Sequence, residues 1–69
     1  MQLTIETERE LDGRWIAEVP ELPGVLAYGA TEGEASAKVE ALALRVLADR
    51  LDNSECGPMD VTIRVHAAE

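Results

Sequence analysis

Few residues in this chain could do chemistry, and most of them are carboxylates. His66 is the only histidine and Cys56 the only cysteine. With no second nitrogen or thiolate at ligand spacing, neither a zinc site nor a Cys–His nucleophile can be assembled within one chain. We interpret His66 as a solvated histidine near the chain end and Cys56 as a loop thiol. Catalysis therefore loses its two usual candidates.

The fourteen acidic residues could supply an acid–base pair or a magnesium site. Either use needs two carboxylates held together in a concave place. Glu6, Glu8 and Glu18 could approach one another across a hairpin. A solvated face that keeps a small acidic protein in solution is the favoured interpretation of the three. A degenerate nuclease-like carboxylate site stays open as an alternative, but we expect no enzyme, no cofactor and no metal site.

The charge balance indicates what kind of partner the chain could have. The net charge is −8, and the six basic residues are spread along the chain without forming a basic stripe. Such a surface repels phosphates, so direct binding to nucleic acid is not expected. An acidic surface attracts basic proteins. The composition therefore predicts a basic protein partner.

The length of 69 residues predicts a single domain spanning residues 1–69. A domain this small buries a limited share of its surface, so we expect a homo-oligomer. The lone cysteine and the absence of a cationic, then apolar leader predict a cytoplasmic protein. No apolar stretch approaches the roughly 20 residues that span a bilayer, so no membrane association is expected.

The first elements to position these side chains are two strands. Residues 2–8 alternate between apolar and polar side chains, the period of a half-buried strand. Asp12 and Gly13 form a reversal signal, and alternation resumes over residues 14–19. We predict a hairpin whose second strand points Ile16 outward and the following side chains at the core: Trp15, Ala17 and Val19.

A rigid corner and a third strand follow. Pro20 and Pro23 remove backbone donors and Gly24 permits a sharp reversal, so regular pairing must stop over residues 20–24. The short apolar run of residues 25–28, bounded by Gly29, suits a strand better than a helix.

The longest predicted element is an amphipathic helix from Thr31 to Leu51. Thr31 and Glu34 have the spacing of a capping box, and Glu34 and Lys38 form an i,i+4 pair. Apolar residues then recur at spacings of three and four. Asn53 and the Gly57–Pro58 pair end the helix. Residues 61–66 alternate again and predict a fourth strand.

The element order is therefore β-β-β-α-β, an α+β fold. A meander followed by a helical crossover places the fourth strand parallel to the first, in a four-stranded mixed sheet of order 3-2-1-4 with the helix on one face. We expect the core to be formed by the following residues from the sheet and the helix: Leu3, Ile5, Trp15, Ala17, Val61, Ile63, Val65, Val39, Leu42 and Val46.

The other face of the sheet must meet water or a partner. Ile16, Leu26 and Tyr28 could form an apolar patch there, and packing and partner contact remain equal alternatives for these three. Together with the acidic strand end and the corner, they form the predicted partner-binding set: Ile16, Glu18, Pro20, Leu22, Pro23, Leu26 and Tyr28.

The run WIAEVPELPGV at residues 15–25, followed by YGATEGEA at residues 28–35, resembles the HicB family of antitoxins. In that family an aromatic-containing strand leads into a P-[DE]-L-P-G corner, a strand, a G-x-T turn and a helix that opens with E-A. Val25 replaces the family's cysteine, and Gly33 is unusual at the helix start. The resemblance is to a short form of the family, and we expect no C-terminal DNA-binding segment of the kind that many members have.

The resemblance implies a partial RNase-H-like fold and a function. The chain would neutralise a small basic HicA-type toxin that cleaves mRNA, by covering the active surface of the toxin. An orphan homo-oligomeric structural or regulatory protein of the same fold, without a toxin partner, is the alternative.

Overall fold

The computed structural model describes residues 1–53, 57–58 and 60–67, of which residues 66 and 67 are described by their backbone. The interpretations of Cys56 and of the His66 side chain lie outside this description. The elements are β1 (Gln2–Arg9), β2 (Trp15–Glu18), β3 (Leu26–Gly29), α1 (Glu32–Asp52) and β4 (Thr62–Ala67). In the described part of the chain, no helix is both long and apolar enough to cross a membrane.

The four strands form one mixed sheet of order β3-β2-β1-β4. β1 and β2 pair antiparallel, as do β2 and β3, while β4 runs parallel to β1. The predicted α+β class, element order and strand order are confirmed. The strand ends differ from the prediction by one residue: β1 extends to Arg9 and β2 is one residue shorter at each end. β3 and β4 each begin and end one residue later than predicted.

Asp12 and Gly13 make the reversal between β1 and β2. The Glu10 N–H donates to the Arg14 carbonyl at 2.7 Å, and the Gly13 N–H donates to the Glu10 carbonyl at 3.0 Å. Gly13 has a φ of +91°, which only glycine adopts without strain. This is a three-residue hairpin loop with its left-handed residue in the last position.

The corner between β2 and β3 consists of two consecutive turns. The Leu22 N–H donates to the Val19 carbonyl at 2.9 Å, and the Val25 N–H donates to the Leu22 carbonyl at 3.0 Å. Pro23 and Gly24, at a φ of +87°, occupy the central positions of the second turn, the arrangement of a type II turn. A bond from the Val19 N–H to the Val25 carbonyl, at 3.1 Å, closes the corner.

The helix begins where the sequence predicts. The Thr31 side-chain oxygen accepts from the Glu34 N–H at 3.1 Å, which confirms the hydroxyl half of the capping box. The Glu34 carboxylate accepts from Lys38 Nζ at 3.0 Å. The Lys38 ammonium, with a smaller contribution from the Ala30 N–H, holds the pKa of Glu34 below its usual value.

Helix α1 packs on β1, β2 and β3. The buried core contains residues from β1, β2, α1 and the corner, and β3 adds the partly buried Ala27. The buried residues are Leu3, Ile5, Ala17, Val19, Leu22, Val25, Ala35, Val39, Ala43 and Leu47. The partly buried Trp15, Leu42, Val46 and Ile63 pack against it.

Two expected core residues do not belong to the core. Val61 is 37% exposed and Val65 is 59% exposed. The prediction for these two was wrong because the helix lies over β1, β2 and β3 and leaves the edge strand β4 largely uncovered. The period of β4 correctly places Val65 on the helix side, opposite the buried Ile5, but the helix leaves this part of the face uncovered. Ile63, opposite the buried Leu3, is half-buried.

A candidate protein-binding face on the sheet

No described helix or strand covers the sheet face opposite α1, and two adjacent cross-strand rows lie on this open face. In one row Glu8 of β1 lies opposite Ile16 of β2, and Ile16 lies opposite Tyr28 of β3. In the other row Glu6 lies opposite Glu18, which lies opposite Leu26. Each row therefore runs from carboxylate to apolar side chain across three strands. We call these six residues the open-face rows.

Four of the seven predicted partner-binding residues lie in the open-face rows: Ile16, Glu18, Leu26 and Tyr28. Leu26 is 41% exposed and Tyr28 is 39% exposed, while Ile16 is half-buried between its neighbours. The structure thus brings these four together on one surface. Side chains on one face of paired strands lie roughly 4.5–5.5 Å apart, so a single partner surface could contact all of them.

The corner contributes differently from the prediction. Pro20 and Pro23 are exposed at the end of the sheet. Leu22, however, is 1% exposed and belongs to the core, between the two turns of the corner. A buried side chain cannot contact a partner, so Leu22 leaves the predicted set. The P-E-L-P-G pattern therefore predicts the corner, and its leucine anchors that corner to the core.

The carboxylates of the open-face rows are not neutralised within the described part of the chain. Its ion pairs join Arg14 to Asp12 and Lys38 to Glu34, and neither involves Glu6, Glu8 or Glu18. Glu6 and Glu18 lie directly opposite each other, and like charges in that position are destabilising. The open-face rows thus have a local negative charge that a cationic partner would relieve.

Arg14 also lies on this surface, although the predicted partner-binding set did not include it. Its guanidinium lies over the Tyr28 ring, 4.6 Å from the ring centroid, a cation–π contact. Arg14 Nε also donates to Asp12 Oδ2 at 2.8 Å. The backbone N–H of Arg14 is the main cause that holds the pKa of Asp12 below its usual value. The available signal was the even spacing of Arg14, Ile16 and Glu18, which places all three on one strand face.

Glu21 in the corner has a structural partner. Its carboxylate accepts from the Thr4 backbone N–H at 3.0 Å and from the Thr4 hydroxyl at 2.9 Å. These bonds fix the corner to β1 at a point where β2 has already ended. The Thr4 N–H lowers the pKa of Glu21, and the Thr4 hydroxyl adds to the effect.

The alternative of a magnesium site gains no support from the geometry. Among the residues that the structure describes, no group of three or more histidine, cysteine, aspartate or glutamate residues could hold a metal ion. Glu6 and Glu18 form a pair on a flat sheet, without the further oxygen ligands that a divalent cation needs. The arrangement suits charge recognition by a macromolecule better than it suits chemistry on a small substrate.

Comparison of the chain with protein-family models, curated proteins and solved structures finds no match. A function for this chain therefore rests on its fold and on the open-face rows.

Proposed function

We propose that this chain is an antitoxin-like protein-binding module that neutralises a small basic toxin of the HicA type, an enzyme that cleaves mRNA. The observation that carries the proposal is the open face of the sheet. There, carboxylates without a cation partner in the described part of the chain lie beside exposed apolar side chains. In this proposal the chain has no catalytic role and acts in the cytoplasm.

The charge of the open face supports a basic partner. Complementary charges increase the rate of encounter and disfavour wrong partners, while apolar and aromatic side chains provide most of the affinity. Glu6, Glu8 and Glu18 would speed the encounter with a basic partner and disfavour others. Tyr28 and Leu26 would provide most of the affinity. A nuclease binds RNA through basic residues, so a protein that covers those residues with carboxylates competes directly with the substrate.

The resemblance to the HicB family supports the same proposal from the sequence. The motif that carries it, residues 15–25, includes β2 and the corner and thus contributes Ile16 and Glu18 to the open-face rows. Neutralisation would then be steric and electrostatic: the sheet face covers the RNA-binding surface of the toxin. Affinity would fall as salt rises, because the contacts of charged groups are screened.

The proposal can be tested by co-expression with the product of the adjacent gene, followed by co-purification and growth assays. The informative variant is Glu6→Lys combined with Glu18→Lys. We expect it to bind about a hundredfold more weakly and to release toxicity, because like charges then meet across the interface. In the free protein the two lysines face each other as the two glutamates did, so the cost to folding is similar.

The matched control is Asp49→Lys combined with Asp52→Lys, which makes the same change in net charge at exposed positions of α1. It should bind and neutralise as the parent protein does. Equal losses in both double variants would show that only net charge matters and would contradict a specific role for the open face. If the neighbouring gene encodes no small basic protein and the chain is recovered alone, the toxin-neutralising function is rejected.

The second candidate function is an orphan homo-oligomeric structural or regulatory protein without a toxin. The observation that favours it is the uncovered edge strand β4.

A further inference from the structure

β4 is the least covered strand of the sheet. It lies at an edge, and α1 packs on the other three strands. Val65 lies opposite the buried Ile5 and so faces the helix side, yet it is the more exposed of the two valines of this segment. Leu44 and Leu51, on the C-terminal half of α1, are exposed as well. Val65 thus exposes apolar surface on β4, whose outer edge has no strand partner among the described residues.

The backbone of this edge is arranged for pairing. The Thr62 N–H donates to the Met1 carbonyl at 2.9 Å, so the N–H and C=O of Thr62 point at β1. In a strand these directions alternate, so the backbone groups of Val61, Ile63 and Val65 point away from β1, towards the free edge. An edge strand of this kind is a template for another strand.

We propose that the edge of β4 pairs antiparallel with the edge of β4 in a second copy of this chain, centred on Thr62. This pairing places Val61 opposite Ile63 of the second copy, and these residues carry outward-pointing backbone groups. It also places Arg64 opposite Asp60 of the second copy, twice by symmetry. The result is a continuous eight-stranded sheet with both helices on the same side. This inference does not depend on the toxin-binding proposal.

The charges of residues 60–65 favour a second copy of this chain as the partner of β4, and they favour one register of the strand pairing. Residues 60–65 contain one acid and one base, Asp60 and Arg64, so this edge does not repel its own copy as the open-face rows would. Centring the pairing on Ile63 instead would place Arg64 opposite Thr62 and lose the ion pair. Centring it on Arg64 would oppose two arginines, which is destabilising. The Thr62-centred register is the one in which charge and apolar contacts agree.

The first test measures the oligomeric state by sedimentation equilibrium at protein concentrations up to about 100 µM. We expect a dimer. Asp60→Arg and Arg64→Asp should each weaken the dimer about tenfold or more, because each creates two like-charge contacts. The swapped double variant Asp60→Arg/Arg64→Asp should restore it. Arg45→Asp, an exposed change on α1, is the control for the net charge of Arg64→Asp and should leave the dimer intact.

The second test reads the register directly. With Cys56→Ser removing the native thiol, Thr62→Cys should form a disulfide between copies, because directly opposed residues of a non-hydrogen-bonded pair come within about 5 Å. Gln2→Cys, on the neighbouring strand, should not cross-link. A monomer throughout the concentration range, a swap that fails to restore the dimer, or equal cross-linking of both cysteine variants would overturn the proposal.

Discussion

At the scale of single residues, side-chain hydrogen bonds connect elements that the backbone ladder does not join. Thr7 is the one buried polar residue of the described core, and its hydroxyl donates to Glu32 Oε2 at 2.8 Å, which ties β1 to the first turn of α1. Glu21 does the same between the corner and Thr4. A carboxylate that accepts a backbone N–H replaces a missing strand partner there.

The Glu21 bonds predict a loss of stability in acid. Hydrogen bonding lowers the pKa of Glu21 in the folded protein below its usual value of 4.5. The stabilisation from these hydrogen bonds is therefore fully present above the pKa of Glu21 in the unfolded chain. It is lost as pH falls through the lower pKa of Glu21 in the folded protein. Glu21→Gln should lack this part of the acid transition, which denaturant unfolding between about pH 7 and pH 3 can measure.

A carbon-detected NMR titration of the Glu21 carboxyl is the direct check. A midpoint at or above the ordinary glutamate value would show that the Thr4 bonds do not favour the ionised form in solution.

At the scale of elements, the junction of β3 and α1 depends on a glycine at the end of the strand. Gly29 is buried, and a Cβ built on it would lie 2.6 Å from the Ala35 backbone nitrogen. No side chain fits there without a shift of the helix. The close approach brings the first turn of α1 onto the sheet, and the small Ala35 is buried at the contact.

This contact predicts opposite outcomes for two glycine-to-alanine changes. Gly29→Ala should destabilise the protein by about 1–3 kcal/mol, because the added methyl collides with backbone. Gly33→Ala should stabilise it by about 0.5 kcal/mol, because the site is in open space and alanine favours helix. Denaturant unfolding measures both. A neutral Gly29→Ala variant would mean that α1 does not approach β3 as closely as described.

At the scale of the whole molecule, the sheet has two surfaces of different character. The open-face rows concentrate negative charge beside apolar side chains, while the β4 edge is locally balanced in charge and partly apolar. Separate surfaces would allow a second copy and a basic partner to bind at the same time. In that arrangement two open faces lie side by side on one continuous sheet.

The open-face charge is expected to cost stability in the free protein. Glu18→Gln should raise the free energy of unfolding by about 0.2–1 kcal/mol at low ionic strength, since it removes repulsion from Glu6. The gain should shrink with added salt. Glu8→Gln is the control, because Glu8 lies opposite Ile16 and loses the same charge without relieving a facing carboxylate. Equal effects of the two variants would show that the repulsion comes from the net charge of the protein and not from the pair of Glu6 and Glu18.

The sequence by itself determined the elements of this protein and their order in the sheet. The signals were local: the alternation of period two, the glycines Gly13 and Gly24 in the turns, and the threonine that caps the helix. Each of them reflects the conformational preferences of a short stretch of backbone. The strand order followed from a further general rule, the handedness and adjacency of connections. None of these needs knowledge of distant contacts.

Only the tertiary structure decided which faces are covered. Periodicity correctly placed Val65 on the helix side, but its exposure depends on where a single helix lies across four strands. Leu22 was predicted to contact a partner from the corner. It is a core residue instead, because the two turns of the corner place its side chain inward. The bond of Glu21 to Thr4 joins residues far apart in sequence. Such contacts depend on register and packing, which no local pattern encodes.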